Sequence, residues 1–345
     1  MMPAREPTSA PDFPVVHAVE DAAAGLRAWI AIDDTSLGPA FGGCRFRAYA
    51  GDDDAIADAR RLAEGMSLKN ALAGIPFGGG KSVLLQPDED FDRAALFEAF
   101  GRAVEQLGGR YITAMDSGTE TADMDAIGRA TRYVSGRTGA EGDPSPFTAR
   151  GVLRGIEAAV SLVLARRDLA GLHVAIQGVG HVGASLALML ADAGATLTVA
   201  DPVSARAEAL ADATGARVVA PDALLATPCD VLAPCGLGGI LDSASVDALA
   251  CRVIAGAANN QLADAGVGQR IAGRGITYVP DFLINAGGVI HAALAWSRAD
   301  EAEIAERVDR IGDTVHGVLE VASKRELLPI QVALDRARTL LRAQH

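Results

Sequence analysis

The chain has 345 residues, half of them hydrophobic, which is more than one ordinary core holds and favours two domains. Its formal charge of −13 at pH 7 argues against nucleic-acid binding, because phosphates require a basic surface. No apolar run approaches the ~20 residues that span a bilayer, so no membrane partner is expected. Residues 1–14, MMPAREPTSAPDFP, are expected to form a short, poorly ordered leader rather than a signal peptide.

The first part of the chain alternates strand-like and helix-like segments. Strands are predicted at residues 26–33, 44–50, 81–86 and 111–115, and helices at 53–72 and 91–108. In the first helix, Ile56, Ala59, Ala63 and Met66 repeat at helical intervals. Residues 135–151 are rich in Gly, Pro, Ser and Asp, and this composition predicts a hinge loop.

The second part begins with a helix at residues 152–167 and continues with strands and helices in alternation. Strands are predicted at residues 172–178 and 195–201 and within 229–235, 252–259 and 276–280, with a helix at 181–194. This alternation predicts an α/β fold whose sheet is mostly parallel and doubly wound, and the apolar strands indicate that both of its faces are covered. The helical tail from about residue 300 is expected to return to the first domain.

The cysteines and histidines show no metal-ligand pattern, so we expect no metal site. The cysteines are predicted to be buried free thiols in a reducing cytoplasm, and they are Cys44, Cys229, Cys235 and Cys251.

A glycine motif follows the strand at 172–178 and opens the next helix. Its residues are Gly178-Val179-Gly180-His181-Val182-Gly183. The first glycine allows a tight turn, the second lets the backbone approach a pyrophosphate, and the third permits close helix–strand packing. The free N–H groups of the helix N-terminus then attract phosphate. With a strand before it and a helix after it, the motif predicts a dinucleotide site.

Asp201 ends the next strand, 18 positions after Gly183. A carboxylate there accepts hydrogen bonds from ribose hydroxyls and repels a 2′-phosphate, which favours NAD over NADP. The nearby Arg206 would soften this preference, and the alternative role of Asp201 is to cap the following helix.

Lys69 and Lys81 are the unusual residues of the first part. A lysine is ordinarily solvated at the surface, but Lys81 lies between the glycines 78–80 and an apolar strand. Partial desolvation near a second cation is expected to lower its pKa and make it a base near neutral pH. The run is not a phosphate loop, because Ile75 stands where the motif needs its first glycine and the lysine leads into a strand. Asp116, after the strand 111–115, is either a capping carboxylate or a site residue.

Together these segments resemble the family of glutamate, leucine, phenylalanine and valine dehydrogenases, with the leucine and phenylalanine enzymes most similar. The similar stretches in the first part are LGPAFGGCRF, RLAEGMSLKNALAGIPFGGGKSV, GRYITAMDSGT and DPSPFTARGV, and those in the second are QGVGHVG, CDVLAPCGLGG, VIAGAANNQL and PDFLINAGGVI. The resemblance implies an N-terminal α/β domain for substrate binding and oligomerisation, residues 1–147, completed by about 320–345. It also implies a Rossmann-type NAD-binding domain, residues 148–319, with a cleft between the two.

The resemblance also implies roles for single residues. Lys81 would be the general base that activates water, and Asp116 would move protons to and from the substrate nitrogen. Lys69 would hold the substrate α-carboxylate, helped by Gly42 and Gly43. The remaining substrate contacts would be Phe41, Met66, Ala114, Asn260, Val289 and Ala292. The cofactor would be held by Thr148 and Asn259 at its nicotinamide end, by Ala233, Pro234 and Cys235, and by the glycine motif with Asp201.

The substrate is expected to be an apolar L-amino acid. In the glutamate enzymes of this family a lysine typically precedes Gly-Gly-x-Arg, whereas this chain has Phe41 there. A side-chain carboxylate without a partner in that place would cost several kcal/mol. Leucine, valine, isoleucine and phenylalanine stay open, because one methylene in an apolar pocket changes specificity by only ~1–3 kcal/mol.

We expect a homo-oligomer. A dimer is favoured because the sequence ends with ALDRARTLLRAQH and lacks the longer tail found in some leucine enzymes that form large rings. Three other functions remain as alternatives: a dehydrogenase specific for phenylalanine or tryptophan, a catalytically silent NAD-binding relative, and a 2-hydroxy-acid dehydrogenase. The last would use a His–carboxylate base, for which no histidine is visibly placed.

Overall fold

The structure is a computed structural model that describes residues 14–343, so all but the last residue of the predicted leader lies outside the described residues. Its contacts divide the described chain into two compact units. The first holds residues 14–68 and 76–140, and the second holds residues 69–75 and 141–343. The predicted domain boundaries stay a prediction; in this division the C-terminal helices group with the second unit.

The first unit is built on a five-stranded sheet. Its strands are β1 Val15–Asp21, β2 Leu26–Asp34, β3 Ala40–Arg47, β4 Gly78–Leu85 and β5 Tyr111–Met115. Its helices are α1 Asp52–Ala73, whose last turn is grouped with the second unit, α2 Arg93–Gln106 and α3 Thr121–Ala130. The strand order is β1-β2-β4-β3-β5.

This sheet is mixed, unlike the mostly parallel sheet that the sequence predicted for the second part of the chain. β1 pairs antiparallel with β2, and β2 pairs antiparallel with β4, while β3 runs parallel to both β4 and β5. β1 and β2 are antiparallel because they follow each other through a short turn at residues 22–25, and such a hairpin joins antiparallel strands. β1 and α3 are elements that the sequence analysis did not predict.

Two apolar layers cover the faces of the first sheet. On one face, buried Ile30, Phe46 and Leu84 pack with Phe97 and Phe100 of α2. On the other face, α1 packs its alanines 55, 59 and 63 against the strands β2 and β4. The predicted Ala59 and Ala63 are fully buried, whereas Ile56 and Met66 are only half-buried. Alanine at the buried positions lets the helix lie close to the sheet.

Two strands extend farther toward the N-terminus than the sequence predicted. β3 begins at Ala40 rather than Cys44, and β4 begins at Gly78 rather than Lys81. Both added stretches contain glycine pairs or triplets, which ordinarily disfavour strands. They are strands here because neighbouring backbone lies on both sides of them.

The second unit contains a six-stranded sheet in which every pair of neighbours is parallel. Its strands are β6 His173–Gln177, β7 Thr196–Ala200, β8 Arg217–Val218, β9 Val231–Pro234, β10 Val253–Ile254 and β11 Thr277–Tyr278. The order β11-β10-β9-β6-β7-β8 reverses direction at β6, as in a doubly wound dinucleotide-binding fold. The predicted parallel sheet is therefore confirmed in this unit.

Helices make up most of the remaining second unit. They are α4 Ser145–Leu164, α5 His181–Asp192, α6 Ser204–Thr214, α7 Pro221–Leu224, α8 Ser245–Ala248, α9 Ala265–Gly273, α10 Asp281–Ile284, α11 Gly287–Trp296, α12 Glu301–Arg325 and α13 Pro329–Arg342. α4 begins within the segment predicted as a hinge loop, because Pro146 is compatible with a first helical turn. The tail forms two helices, and α13 packs on α12 and β11.

Helix α5 offers a matched test of the core of the second unit. Leu186 is fully buried, whereas Leu188, two residues later, is 46% exposed. We expect Leu186→Ala to lower the free energy of unfolding by about 2–5 kcal/mol, through lost burial and a cavity, and Leu188→Ala to lower it by less than about 1 kcal/mol. Urea unfolding of both variants measures this, and equal losses would contradict the described packing.

Candidate active site

Lys81 lies on β4 beneath helix α1. A side chain is impossible two residues earlier, because a Cβ at Gly79 would lie 2.1 Å from the backbone nitrogen of Ser67 on α1. Ser67 in turn donates a hydrogen bond to Asp33 on β2, which ties the helix to the sheet. The glycine run therefore serves the close approach of a helix, and it leaves Lys81 with a side chain that is only 8% exposed.

The amine of Lys81 contacts Asp116, which follows β5. The distance from Nζ of Lys81 to Oδ2 of Asp116 is 3.2 Å. Burial lowers the pKa of Lys81 and the nearby Arg45 lowers it further, although Asp116 opposes both effects. The direction predicted for the pKa of Lys81 is therefore confirmed. The second cation that the sequence analysis expected near Lys81 is Arg45 in the first unit.

Asp116 stays ionised although it is largely buried. Burial alone would raise its pKa, but the positive charges of Lys81 and Arg45 bring the net shift below the usual value. Its backbone N–H donates to Oγ1 of Thr119 at 2.9 Å. Asp116 is therefore a fixed carboxylate in an ion-paired cluster, and the alternative role of helix capping does not apply, since α3 is capped by Glu120.

The glycines before Arg45 are required by the same cluster. A Cβ at Gly43 would lie 2.8 Å from the Cβ of Asp116, and one at Gly42 would lie 1.9 Å from the carbonyl oxygen of Gly80. The Tyr111 hydroxyl donates to the carbonyl oxygen of Gly42 at 2.7 Å. The backbone of β3 is therefore held immediately beside Asp116.

Further predicted substrate contacts surround these glycines in the first unit. Ala114 pairs with Gly43 across β5 and β3, and the side chain of Met66 lies near Gly42. Phe41 is fully buried, and its ring packs against Phe77 with centroids 5.4 Å apart. Lys69, three residues after Met66, is half-buried and lies in the last part of α1, which is grouped with the second unit.

Arg45 and Asp58 belong to the cluster but were missed by sequence reasoning. Nε of Arg45 lies 3.0 Å from Oδ2 of Asp116, and its Nη1 lies 3.0 Å from Oδ2 of Asp58 on α1. Residues two apart on a strand lie on the same face of the sheet, so the position of Arg45 two residues after Gly43 was a signal that Arg45 faces the predicted site.

A second missed signal lies in the composition. Only three of the 31 lysine and arginine residues are lysines, namely Lys69, Lys81 and Lys324. Arginine keeps its charge at all ordinary pH values, whereas a lysine amine can lose its proton when buried. Two of the three lysines, Lys69 and Lys81, are residues of the predicted substrate site, so the scarcity of lysine elsewhere was itself a signal of their role.

The glycine motif of the second unit has the geometry that a dinucleotide needs. Gly178 has a φ of 87°, and a Cβ at Gly183 would lie 2.0 Å from the carbonyl oxygen of Gly178, so helix α5 packs directly on the turn. A Cβ at Gly180 would meet nothing within 4 Å, which leaves space for phosphate at the helix N-terminus. His181 is exposed as the first residue of α5, and Val182 follows it half-buried. The three glycines thus fit their predicted uses.

Asp201, which directly follows β7, forms a hydrogen bond with this motif. Its Oδ2 accepts a hydrogen bond from the backbone nitrogen of Val179 at 2.8 Å, and its Oδ1 accepts one from Val203 at 2.8 Å. The N-cap of α6 is Val203, so Asp201 is not the helix cap that the sequence allowed as an alternative. A carboxylate has lone pairs left for ribose hydroxyls beside these two bonds.

The remaining predicted cofactor residues lie at the carboxyl ends of strands, in the loops that follow them, and on helix α4. Ala233 and Pro234 end β9, and the nitrogen of Cys235 donates to the carbonyl oxygen of Gln177 at 2.7 Å. Thr148 is helical rather than in a loop, and its Oγ1 would lie 2.7 Å from a Cβ at Gly288 of α11.

Asn259 and Asn260 are fixed by two residues that the sequence analysis did not single out. Asn285 donates from Nδ2 to Oδ1 of Asn259 at 2.7 Å, which leaves the amide nitrogen of Asn259 as a donor. The carboxylate of Asp281 accepts a hydrogen bond from the backbone of Asn260, whose φ is 51°. Val289 and Ala292 lie half-buried on α11 of the same unit.

Other predicted features concern metals, thiols and membranes. Within residues 14–343 no group of His, Cys, Asp and Glu side chains is arranged to hold a metal ion. The cysteines are free as predicted, but only Cys44 is fully buried and the other three are half-buried. None of the helices that the structure describes is both long and apolar enough to cross a membrane.

Comparison with known proteins identifies the family. Residues 13–133 match the model of the Glu/Leu/Phe/Val dehydrogenase dimerisation domain, and residues 199–335 match that of the glutamate/leucine/phenylalanine/valine dehydrogenases. The chain is 42% identical to a leucine dehydrogenase of Thermoactinomyces intermedius, over 94% of this chain and 89% of the relative. It is 42% identical to a valine dehydrogenase of Streptomyces virginiae, over 92% and 90%.

The solved structures include the L-tryptophan dehydrogenase of Nostoc punctiforme. It superimposes with a TM-score of 0.88 at 36% identity, over 96% of both chains. The resemblance inferred from the sequence is therefore confirmed, and the chain belongs to the glutamate/leucine/phenylalanine/valine dehydrogenase family of amino-acid dehydrogenases.

Proposed function

We propose that the chain catalyses the reversible, NAD-dependent oxidative deamination of apolar L-amino acids. The observation that carries this proposal is the buried amine of Lys81, 3.2 Å from the carboxylate of Asp116. Such a pair supplies both a base and a proton carrier at one place. The names of the relatives, leucine and valine dehydrogenase, support an apolar substrate.

The proposed reaction consumes one amino acid, one water and one NAD⁺. It yields a 2-oxo acid, ammonium, NADH and one proton. The nicotinamide of the bound cofactor supplies the acceptor for the hydride that leaves the α-carbon. The remaining steps are proton transfers and the addition of water to the substrate iminium carbon, and these are the steps that side chains perform.

Lys81 is the proposed base for the water. In its neutral form the amine takes a proton from water as the oxygen bonds to the iminium carbon. Burial favours this neutral form, because a desolvated ammonium has lost its hydration. An arginine in this position would keep its proton and could not act as the base.

Asp116 is the proposed carrier of protons to and from the substrate nitrogen. It is ionised in the resting cluster, so it can accept a proton from the substrate ammonium. Lys69, Gly42 and Gly43 are the proposed partners of the substrate α-carboxylate, which explains how an acidic chain binds a carboxylate. Thr148, Asn259 and the glycine motif are the proposed holders of the cofactor, with Asn260 near the substrate.

The proposed substrates carry no side-chain charge. Phe41 is fully buried and packs on Phe77, so this position offers a side-chain carboxylate no ionic partner. Leucine, valine, isoleucine and phenylalanine fit this criterion. Tryptophan is a second candidate because the structurally similar Nostoc punctiforme protein is an L-tryptophan dehydrogenase.

We further propose NAD as the cofactor and a homodimer as the assembly. Asp201 places a negative charge beside the glycine motif, which opposes the 2′-phosphate of NADP. The matched model of residues 13–133 is described as a dimerisation domain, which supports association through the first unit. The cytoplasmic location inferred from the free thiols stays a prediction.

A substrate panel tests the proposed function. We expect kcat/KM for leucine, valine or phenylalanine to exceed that for glutamate by at least ~100-fold, because an unpaired buried carboxylate costs about 3 kcal/mol. Reduction of NAD is followed by absorbance with each L-amino acid and with 2-hydroxy acids. Absence of turnover with every amino acid would favour a silent NAD-binding relative, and faster oxidation of lactate or malate would favour the hydroxy-acid alternative.

Removal of Lys81 tests the catalytic assignment. We expect Lys81→Ala to lower kcat by about 10²- to 10⁴-fold while NAD binding is retained, because the base is lost and the cofactor residues are untouched. Lys324→Ala is the control, since Lys324 is an exposed partner of Glu320 on α12. Nearly normal turnover of Lys81→Ala would refute the role of the base.

Removal of the charge of Asp201 tests the cofactor preference. Asp201→Asn retains an acceptor for Val179 but loses the negative charge, so the NADP-to-NAD ratio of kcat/KM is expected to rise about 10-fold. Asp230→Asn is the control, because Asp230 likewise accepts a backbone hydrogen bond, from His173, without belonging to the motif. An unchanged ratio in Asp201→Asn would argue against a ribose contact.

A further inference from the structure

Arg45 joins two carboxylates that lie on different elements of the first unit. Its guanidinium uses Nε for Asp116 and Nη1 for Asp58, each at 3.0 Å. The three side chains are 15–22% exposed, so solvent screens this chain of charges only in part. The rigid fork of arginine suits such a bridge, because its donors point in fixed directions.

Both cations of the cluster contact the same oxygen of Asp116. Nζ of Lys81 and Nε of Arg45 lie 3.2 Å and 3.0 Å from Oδ2. Both of these contacts end on Oδ2 rather than on Oδ1. The two cations thus hold the carboxylate through Oδ2, and the lone pairs of Oδ1 are the ones that a ligand can use.

Asp58 anchors the guanidinium from helix α1. Its Oδ2 also accepts a hydrogen bond from the Tyr49 hydroxyl at 2.8 Å, and its Oδ1 pairs with Arg61 at 2.6 Å. Arg61 is 60% exposed and does not contact Asp116. The orientation of Asp116 is therefore linked through Arg45 to the helix that covers Lys81.

The charges that face Lys81 are few. Burial raises the pKa of Cys44 to about 12 and raises that of Tyr111, so both neighbours are neutral at ordinary pH. The ionised neighbours are Asp116, which favours the ammonium form of Lys81, and Arg45, which opposes it. Arg45 is permanently charged, so its effect on the amine does not change with pH.

We propose that Arg45 is a positioning residue of the deamination site, which fixes Oδ2 of Asp116 beside the Lys81 amine and directs Oδ1 of Asp116 toward the substrate nitrogen. Asp58 anchors it in this role. The proposal rests on the proposed function for the identity of the substrate. It adds a residue that makes no bond to the substrate yet determines which carboxylate oxygen exchanges the proton.

The scarcity of lysine makes a direct test possible without turnover. Acetic anhydride acetylates only neutral amines, and mass spectrometry of peptides separates Lys69, Lys81 and Lys324. In Arg45→Met we expect the pH midpoint for labelling of Lys81 to move about 1 unit to higher pH, because a cation that disfavours the ammonium has been removed. The midpoint of the exposed Lys324 serves as the internal reference.

Arg61→Met is the matched control, since it removes another arginine partner of Asp58 that does not contact Asp116. Its Lys81 midpoint is expected to equal that of the wild type. A wild-type Lys81 midpoint in folded Arg45→Met would overturn the proposal. Labelling requires no substrate, so it can be measured even if the wild-type enzyme shows no turnover. Absence of turnover would refute the proposed function, whereas the labelling midpoints would still test the role of Arg45.

Arg45→Lys separates charge from position, and it also serves if Arg45→Met does not fold. Lysine keeps the positive charge but cannot bridge two carboxylates with a planar fork. We expect at least a 10-fold loss of kcat, with the KM for NAD unchanged and a Lys81 midpoint within about 0.3 units of the wild type. Wild-type kcat in this variant would show that the bridge does not position Asp116.

Discussion

Helix α1 lies so close to the start of β4 that its backbone occupies the space where a side chain of that strand would be. A Cβ at Gly79 would be 2.1 Å from the nitrogen of Ser67, and the hydrogen bond from Ser67 to Asp33 holds the helix there. This packing withdraws the amine of Lys81 from water. Desolvating an ammonium is costly, so the site depends on the charges placed around it. Asp116 compensates that cost in part, and Arg45 compensates the charge of Asp116.

The glycine motif of the second unit depends on backbone rather than on side chains, because the phosphates of a dinucleotide bind to backbone N–H groups. Its three glycines serve a turn, an open approach and a close helix contact, and Asp201 holds the nitrogen of Val179 between them. At the other end of the site, Asn285 determines which end of the Asn259 amide is presented. The backbone of Val179 and the side-chain amide of Asn259 are thus each oriented by a hydrogen bond with a second residue.

The sequence predicted features whose signals are local. The glycine motif, Asp201 and Asp116 each follow an apolar strand, and Lys81 follows a glycine run, so a short segment was sufficient. Arg45 was missed because its role depends on contacts with Asp116 and Asp58, which lie 71 and 13 residues away in the sequence. The early starts of β3 and β4 were missed because glycine disfavours strands, and tertiary packing overrode that preference. Asn285 was missed because nothing near it in the sequence shows that it meets Asn259.

The use of arginine for nearly all cations has a practical consequence for handling the protein. Lys324 is the one exposed lysine that the structure describes as paired only with a neighbouring glutamate, on the long helix α12. Attachment of the protein to a solid support through lysine would therefore favour a single point on α12, in the second unit. The amine of Lys81 under α1 would be shielded from the coupling reagent by the same packing that lowers its pKa.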